Sequence, residues 1–291
     1  MAGISLAQSV KMTQNELQAG VIEILATESK LLNILPFMNV VGSGYSYNVE
    51  NNLGSASFRN VNEKYNATEL TTDLRTEALV ILGDEAVVDT FQIATHSNIN
   101  DLMAIEVALR TKAIAHKYEK TFVQGKGDTK DFKGILYRYL HSSANEVQEA
   151  QVLEATESII DDIDVLLDSV LGGADCLIMN KKTRRALTKL ARNSCEYKQG
   201  EFGTQFTLYG GIPIVDLEGD LLEDNIVIAC RLGVKEAVCG LQNGSIVVTP
   251  LGQMEGQPQL KTRLEWFCGM AIFNDKTVAI RKPSGYTDMD S

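Results

Sequence analysis

The stretch from Gly42 to Thr76 decides how the rest of the chain is read. Gly44-Tyr45-Ser46-Tyr47-Asn48-Val49-Glu50 alternates like a strand, and Asn51-Asn52-Leu53-Gly54 supplies turn chemistry. Ser55 to Leu70 is mostly Ser, Asn, Glu, Lys and Thr, with Phe58, Val61 and Tyr65 as isolated apolar residues. Leu74, Thr76, Ala78, Val80 and Leu82 then mark one face of a second strand. The pattern predicts a long β-hairpin over 42–83 with too little apolar surface to fold alone. A loop of this length and polarity is either a lid or an arm that lies on a neighbour.

Helical patterns flank the hairpin. From Gln14 to Leu35, Leu17, Val21, Ile24/Leu25 and Glu28 step by three and four, and Leu31, Leu32, Ile34 and Leu35 widen the apolar face. Pro36 ends this helix, and residues 1–13 read as an arm. Downstream, Ser97 to Gln124 reads as one helix roughly 40 Å long. Ser97 is its expected cap, and Asp101 sits where the dipole favours an acid. Met103, Val107, Ile114, Tyr118 and Phe122 form its stripe, with Leu102, Leu109 and Ala113 beside it, and Gly125 stops it. Leu153, Thr156, Ile160, Ile163, Leu167 and Val170 predict a second amphipathic helix ended by Gly172-Gly173.

Short elements then alternate quickly. Asp175 to Met179 is an apolar strand, and Asn180 caps a helix through Arg184, Leu187 and Leu190. Thr207 to Val215 holds a strand, the Gly210-Gly211 turn and a second strand, followed by strands at Asn225 to Cys230 and Ser245 to Thr249. Residues 136–248 read as a compact α/β unit. From Gln259 to Ile272, Leu260, Thr262, Leu264, Trp266, Cys268 and Met270 alternate along one long strand. Asn274-Asp275 is read as a turn, with Thr277 to Arg281 pairing back on that strand.

Composition narrows the function. The 291 residues, 44% apolar, suffice for a sizeable core, in one large domain or about two ordinary ones. No run of ~18 apolar residues predicts a membrane span. Met1 to Lys11 lacks the pattern of a signal peptide, so the protein is expected to be made and kept in the cytosol. The five cysteines, Cys176, Cys195, Cys230, Cys239 and Cys268, are odd in number and widely spaced, with no CxxC pair. They read as free thiols rather than a disulfide framework or zinc site. His96, His116 and His141 are far apart, with no HxxxH or HExxH. The net charge of −11 argues against wrapping DNA through the average surface; it suits a container that must not stick to its cargo, and it is equally the ordinary acidity of a soluble bacterial protein.

Two charged constellations are weighed against plain alternatives. Glu154, Glu157, Asp161, Asp162, Asp164 and Asp168 form the densest carboxylate cluster, where acid–base or metal chemistry is conceivable. They lie opposite a clean apolar stripe with no histidine nearby, so a solvated face is the stronger reading. Lys181-Lys182, Arg184-Arg185, Lys189 and Arg192 make a basic helix able to meet phosphate or an acidic surface; a solvated or protein-paired helix is the stronger reading. No GxSxG elbow, Walker loop or GxGxxG after a strand occurs. No catalytic, cofactor-binding or metal residue is assigned, and no cofactor is expected.

The order of these elements resembles tailed-bacteriophage major capsid proteins, the Hong Kong ninety-seven-type shell fold also used by encapsulins, over nearly the whole chain. Asp131-Phe132-Lys133-Gly134-Ile135-Leu136 is similar to a short segment that follows the spine helix in many capsid subunits. Ala174-Asp175-Cys176-Leu177-Ile178-Met179-Asn180, running into Lys181-Lys182-Thr183, is the most specific match and looks like the strand-to-helix junction of the axial domain. Tyr209-Gly210-Gly211-Ile212-Pro213-Ile214-Val215 and Arg263-Leu264-Glu265-Trp266-Phe267-Cys268-Gly269-Met270-Ala271 resemble the next two motifs.

The resemblance implies an α+β capsid fold: an N-terminal arm and helix (1–41), an extended hairpin loop (42–83), a peripheral domain with the spine helix (84–135 and 249–291), and an axial α/β domain (136–248). It implies a virion protein, synthesised in the bacterial host cytoplasm, that assembles with itself through hexamers and pentamers into an icosahedral shell. The shell would enclose double-stranded DNA without sequence-specific or membrane binding. Only about forty residues precede the hairpin, so a separate scaffold protein, or none, is expected in place of a built-in one, along with a portal and decoration proteins. Some members crosslink a hairpin lysine to a neighbour's asparagine with a glutamate assisting. Lys64, the only lysine in 42–83, and Asn274 are the candidates here, although ordinary surface residues explain both. An encapsulin-type compartment shell is the alternative, and a cytosolic α/β enzyme using the acidic helix a third reading.

Overall fold

The computed structural model describes residues 4–5, 16–50, 58–64, 72–96, 101–140, 152–156, 158–192, 194–199, 204–219 and 221–283. Most of the expected arm, the hairpin segments 51–57 and 65–71, Ser97, His141 and Glu157 lie outside them.

In chain order, β1 (Ile4–Ser5) precedes α1 (Glu16–Glu28), α2 (Lys30–Ile34) and β2 (Pro36–Asn39). The single helix expected over 14–35 is thus two. Ser29 interrupts it with an extended backbone, and its side chain caps α2 by accepting from Leu32 N. β3 (Gly44–Glu50) and β4 (Thr72–Ala78) form the hairpin, in register from Gly44↔Ala78 to Glu50↔Thr72. β5 (Val80–Asp89) leaves it for another sheet, and α3 (Thr90–His96) follows. α4 (Leu102–Gln124) is the long helix, about 35 Å in length. Its cap is Asp101, accepting from Met103 N and Ala104 N, and not Ser97.

α5 (Ile135–Leu140) comes next, then β6 (Val152–Glu154) and α6 (Ile159–Ser169). Leu153 and Glu154 therefore belong to a strand, and the second amphipathic helix starts only after its cap, Ser158. β7 (Cys176–Asn180) runs into α7 (Lys181–Leu190), whose Thr183 N is capped by Asn180 as expected. β8 (Cys195–Gln199), β9 (Gln205–Tyr209), β10 (Ile212–Leu217), β11 (Val227–Cys230), β12 (Val238–Gln242), β13 (Val247–Gln253), β14 (Gln259–Ile272) and β15 (Val278–Lys282) complete the chain.

Two sheets share one core. A six-stranded sheet runs β1-β2-β12-β14-β13, with β5 along the other edge of β14. The predicted alternation of β14 is seen: Thr262, Leu264, Trp266, Cys268 and Met270 are buried, beneath α4. There the Tyr118 ring lies tilted 4.9 Å from that of Trp266, and its hydroxyl donates to Gly269 O. Leu109, expected beside the helix stripe, points to solvent. The seven-stranded sheet runs β6-β15-β11-β7-β10-β9-β8. Its central strands are apolar without interruption because both faces are covered. Cys176, Ile178, Ile228, Cys230, Val278 and Ile280 face the core shared with α1 and α5, while Leu177, Met179, Val227, Ala229 and Ala279 face α6 and α7.

β15 does not pair back on β14. It pairs with β11 and β6, in the seven-stranded sheet, where Val278, Ala279 and Ile280 are wholly buried. A strand buried on both faces needs two covered sides, which the edge of a terminal hairpin lacks. Four of the five cysteines are buried and all are free thiols; those of Cys176 and Cys230 face each other across β7 and β11, with Sγ atoms 3.1 Å apart.

The turn from α4 to α5 depends on two glycines. A Cβ on Gly125 would stand 2.1 Å from Phe132 O, and one on Gly134 would stand 2.6 Å from Gly125 N. Gly125 is therefore required by close backbone approach and not by a left-handed conformation, since its φ is −54°.

Candidate assembly interface

The hairpin is anchored to the body by charge. On β4 the inward side chains are Arg75 and Glu77, whereas Leu74 is 71% exposed. The apolar face expected from Leu74 to Leu82 is thus not one face: the strand breaks at Leu79, and only Val80 and Leu82 turn to the core. Arg75 makes a bidentate pair with Asp275, both contacts at 2.7 Å. Glu77 accepts two hydrogen bonds from Arg138 of α5, at 2.6 and 2.7 Å. Side-chain exposures of 10% and 11% place that second pair essentially inside the protein.

Apolar contacts complete the root. Tyr45, Tyr47 and Val49 of β3 pack with Met38, Val40, Ala271 and Phe273, and Tyr47 lies 4.6 Å from the Phe273 ring. Tyr47 Oη donates to Ile272 O at 2.9 Å and stands 3.4 Å from Glu77. Burial, with the nearby Glu77 carboxylate, keeps this phenol protonated well above its ordinary range. Hydrogen bonding to Asp275 raises the Arg75 pKa; for Arg138, burial works most strongly against the charge, and the hydrogen bond to Glu77 together with the Glu77 charge outweighs it. Tyr139 donates to Asp275 O, tying α5 to the same turn.

Beyond this root the described residues of the hairpin are open. Phe58 and Val61 are fully or nearly fully exposed, and Lys64 is exposed. Asn274, the other crosslink candidate, is half-buried, and its side chain accepts from Lys276 N as a local cap. A second open surface lies on the outer face of β5 and β14. Ile81 pairs with Phe267, and both side chains reach solvent. Beside them Glu85 bridges Lys261 and Arg263, which hold its carboxyl below the usual range.

The acidic helix behaves in part as expected. Asp161, Asp164 and Asp168 are exposed, but Asp162 is buried. Asp162 accepts from Arg281 Nε at 2.7 Å and from Thr156. It joins α6 to β15 and is not part of a solvated face. Asp164 accepts from Tyr209 Oη at 2.9 Å. Among the described residues no group of three or more His, Cys, Asp or Glu is placed to hold a metal ion. On α7, Lys181 and Lys182 pair with Glu218 and Asp224.

The Arg75–Asp275 and Glu77–Arg138 pairs were not foreseen in the sequence. The only trace there is two opposite charges at alternate positions of a strand, which place both on one face.

Two sheets on a common core, a bracing helix and an anchored arm with exposed apolar residues toward its tip define a subunit built to meet other subunits. The sequence profile of the phage capsid family matches residues 12–210. The chain belongs to that family: it is a structural capsid shell protein, located in the virion, and not an enzyme.

Comparison with curated protein sequences gives no match. Solved structures share the fold at low identity. The Mycobacterium phage Adephagia structure superposes with a TM-score of 0.66 at 13% identity, covering 89% of this chain and 91% of that one. The capsid of the native GTA particle gives 0.63 at 14%, over 90% and 91%. The holo-SrpI encapsulin complex from Synechococcus elongatus PCC 7942 gives 0.65 at 16%, over 89% and 90%. The fold is the Hong Kong ninety-seven-type capsid fold.

Proposed function

We propose that this chain is the major capsid protein of a tailed bacteriophage, closing through hexamers and pentamers into an icosahedral shell around double-stranded DNA. The observation that carries the reading is the phage capsid family match over residues 12–210. The anchored hairpin supports it: a root fixed by two bidentate ion pairs holds an arm whose Phe58 and Val61 are exposed. Adjacent subunits would supply that cover.

In this reading the six-stranded sheet with α4 forms the peripheral domain, and the seven-stranded sheet with α6 and α7 forms the axial domain. β12 then counts with the peripheral domain and β15 with the axial one. The protein would be synthesised in the host cytoplasm and work with a separate scaffold protein, a portal and decoration proteins. The net charge of −11 suits a container that must release its cargo.

A second reading, an encapsulin-type compartment shell, is supported by the comparable similarity to the SrpI encapsulin. Electron microscopy of the purified full chain tests the shell. Hollow particles with five-fold vertices are expected, and a monomer or dimer under every assembly condition would overturn it. Particles purified from the host then separate the two readings: nuclease-protected DNA marks the capsid, and a folded enzyme cargo the compartment.

A further inference from the structure

Between α7 and the edge strand β8 lies a cleft of about 440 Å³. Arg184, Arg185, Lys189 and Arg192 line it, with Tyr197 from β8, and no carboxylate is among its described lining residues. In a chain with a net charge of −11 this concentration of cations is unusual. Apart from Arg184, which lies beside Asp216, the charges are not neutralised by the described residues. Lys181 and Lys182, outside the cleft, take Glu218 and Asp224. Among the described residues, Arg185, Lys189 and Arg192 have no carboxylate partner.

Arg184 is only partly satisfied. Its Nε lies 3.4 Å from Asp216 Oδ2, close enough for charge attraction, yet it is buried and makes no hydrogen bond. Asp216 is shared with Lys30, and the Arg184 Nη1 contact to Thr207 is a long 3.4 Å. The arrangement repels itself: Arg185 and Lys189 are one helical turn apart, where like charges destabilise a helix. An anion in the cleft would relieve the repulsion.

We propose that this cleft is an anion site that takes phosphate groups. Three of its four cations are guanidinium groups, whose planar forks match phosphate oxygens bidentately. Its volume suits a compact polyanion. The phosphates come either from a free polyphosphate or from the backbone of nucleic acid, and the test separates the two. The site does not rest on the shell reading, because binding is read on dispersed subunits.

The full chain is titrated calorimetrically with inorganic tripolyphosphate at about 50 mM salt, and by fluorescence anisotropy with a short DNA duplex. The variants are R185Q/R192Q, K189Q and, as a control on the exposed face of α4, K120Q, each checked for native circular dichroism. Arg185, Lys189 and Arg192 are exposed, so their removal leaves the core intact. Saturable tripolyphosphate binding is expected, roughly tenfold or more weaker in R185Q/R192Q, about threefold weaker in K189Q and unchanged in K120Q. Parallel losses in duplex binding identify the backbone as the source, whereas duplex binding that is absent or insensitive to the variants identifies a free polyphosphate. Tripolyphosphate binding that is absent, or equal in wild type and R185Q/R192Q, overturns the proposal. So does a double variant that changes only self-association in sedimentation.

Discussion

Replacing Arg138 with alanine removes, among the described residues, the cation bonded to Glu77 at the root of the hairpin. What remains is a carboxylate about 11% exposed, with the Tyr47 hydroxyl donating to it at 3.4 Å. Leaving one partner of a buried pair uncompensated costs about 3–5 kcal/mol. Glu77→Ala is milder, near the lower end of that range, because Arg138 Nε keeps its bond to Lys133 O at 3.1 Å. Removing both leaves no orphaned charge, so the double variant should cost less than the two singles together, by about 2 kcal/mol or more. The assay is urea unfolding of dispersed subunits at neutral pH for wild type, both singles and the double. Thermal unfolding runs alongside, where the Arg138→Ala loss corresponds to a drop of roughly 5 °C or more in a chain of this length. Singles that add to the double within about 0.5 kcal/mol would refute the reasoning, because the pair would then contribute as two independent surface charges.

Three further outcomes follow. Deleting Asn51 to Asn66 should leave a subunit with native circular dichroism that cannot close a shell, and normal particles by electron microscopy would remove the role given to the hairpin. The Asp162 carboxyl titrates below its usual range, since bonds from Thr156 and Arg281 together outweigh burial. Its folded value is therefore below its unfolded one. Its stabilisation is present above the unfolded value near pH 4 and is lost as pH falls through the depressed folded value. Asp162→Asn should accordingly be less stable than wild type at neutral pH, with the gap closing in acid; a pH-independent gap in urea midpoints would contradict this. Shells boiled in detergent should run as monomers on a denaturing gel, whereas a ladder abolished by Lys64→Ala would establish the crosslink.

Where periodicity is dictated by one partner surface, the sequence was legible. The alternation from Thr262 to Met270 and the stripe Val107, Ile114, Tyr118 and Phe122 are opposite sides of one contact, and each shows its period plainly. The Asn180 cap was legible for a local reason, since the capping bond runs from Thr183 N to its Oδ1, three residues back, while the bonds of its amide nitrogen to Leu222 and Asp224 were not. Three features were hidden. Ser29 breaks a helix whose apolar stepping continues on both sides, and its hydroxyl is also committed to Glu119, ninety residues away. β15 reads equally well as the return of a hairpin or as a central strand, and only the burial of both its faces decides. The Glu77–Arg138 and Asp162–Arg281 pairs place charge where pattern reading expects solvent, and no local spacing announces a partner more than sixty residues away. The cleft beside α7 was half visible as a run of cations, but not the absence of acids opposite them.

A cryo-electron microscopy map of particles assembled from this chain tests the central claim most directly. The account predicts a closed icosahedral shell in which each 42–83 hairpin lies across an adjacent subunit and Phe58 and Val61 are covered there. A hairpin folded back on its own subunit, with Phe58 and Val61 facing solvent in the assembled particle, would contradict it.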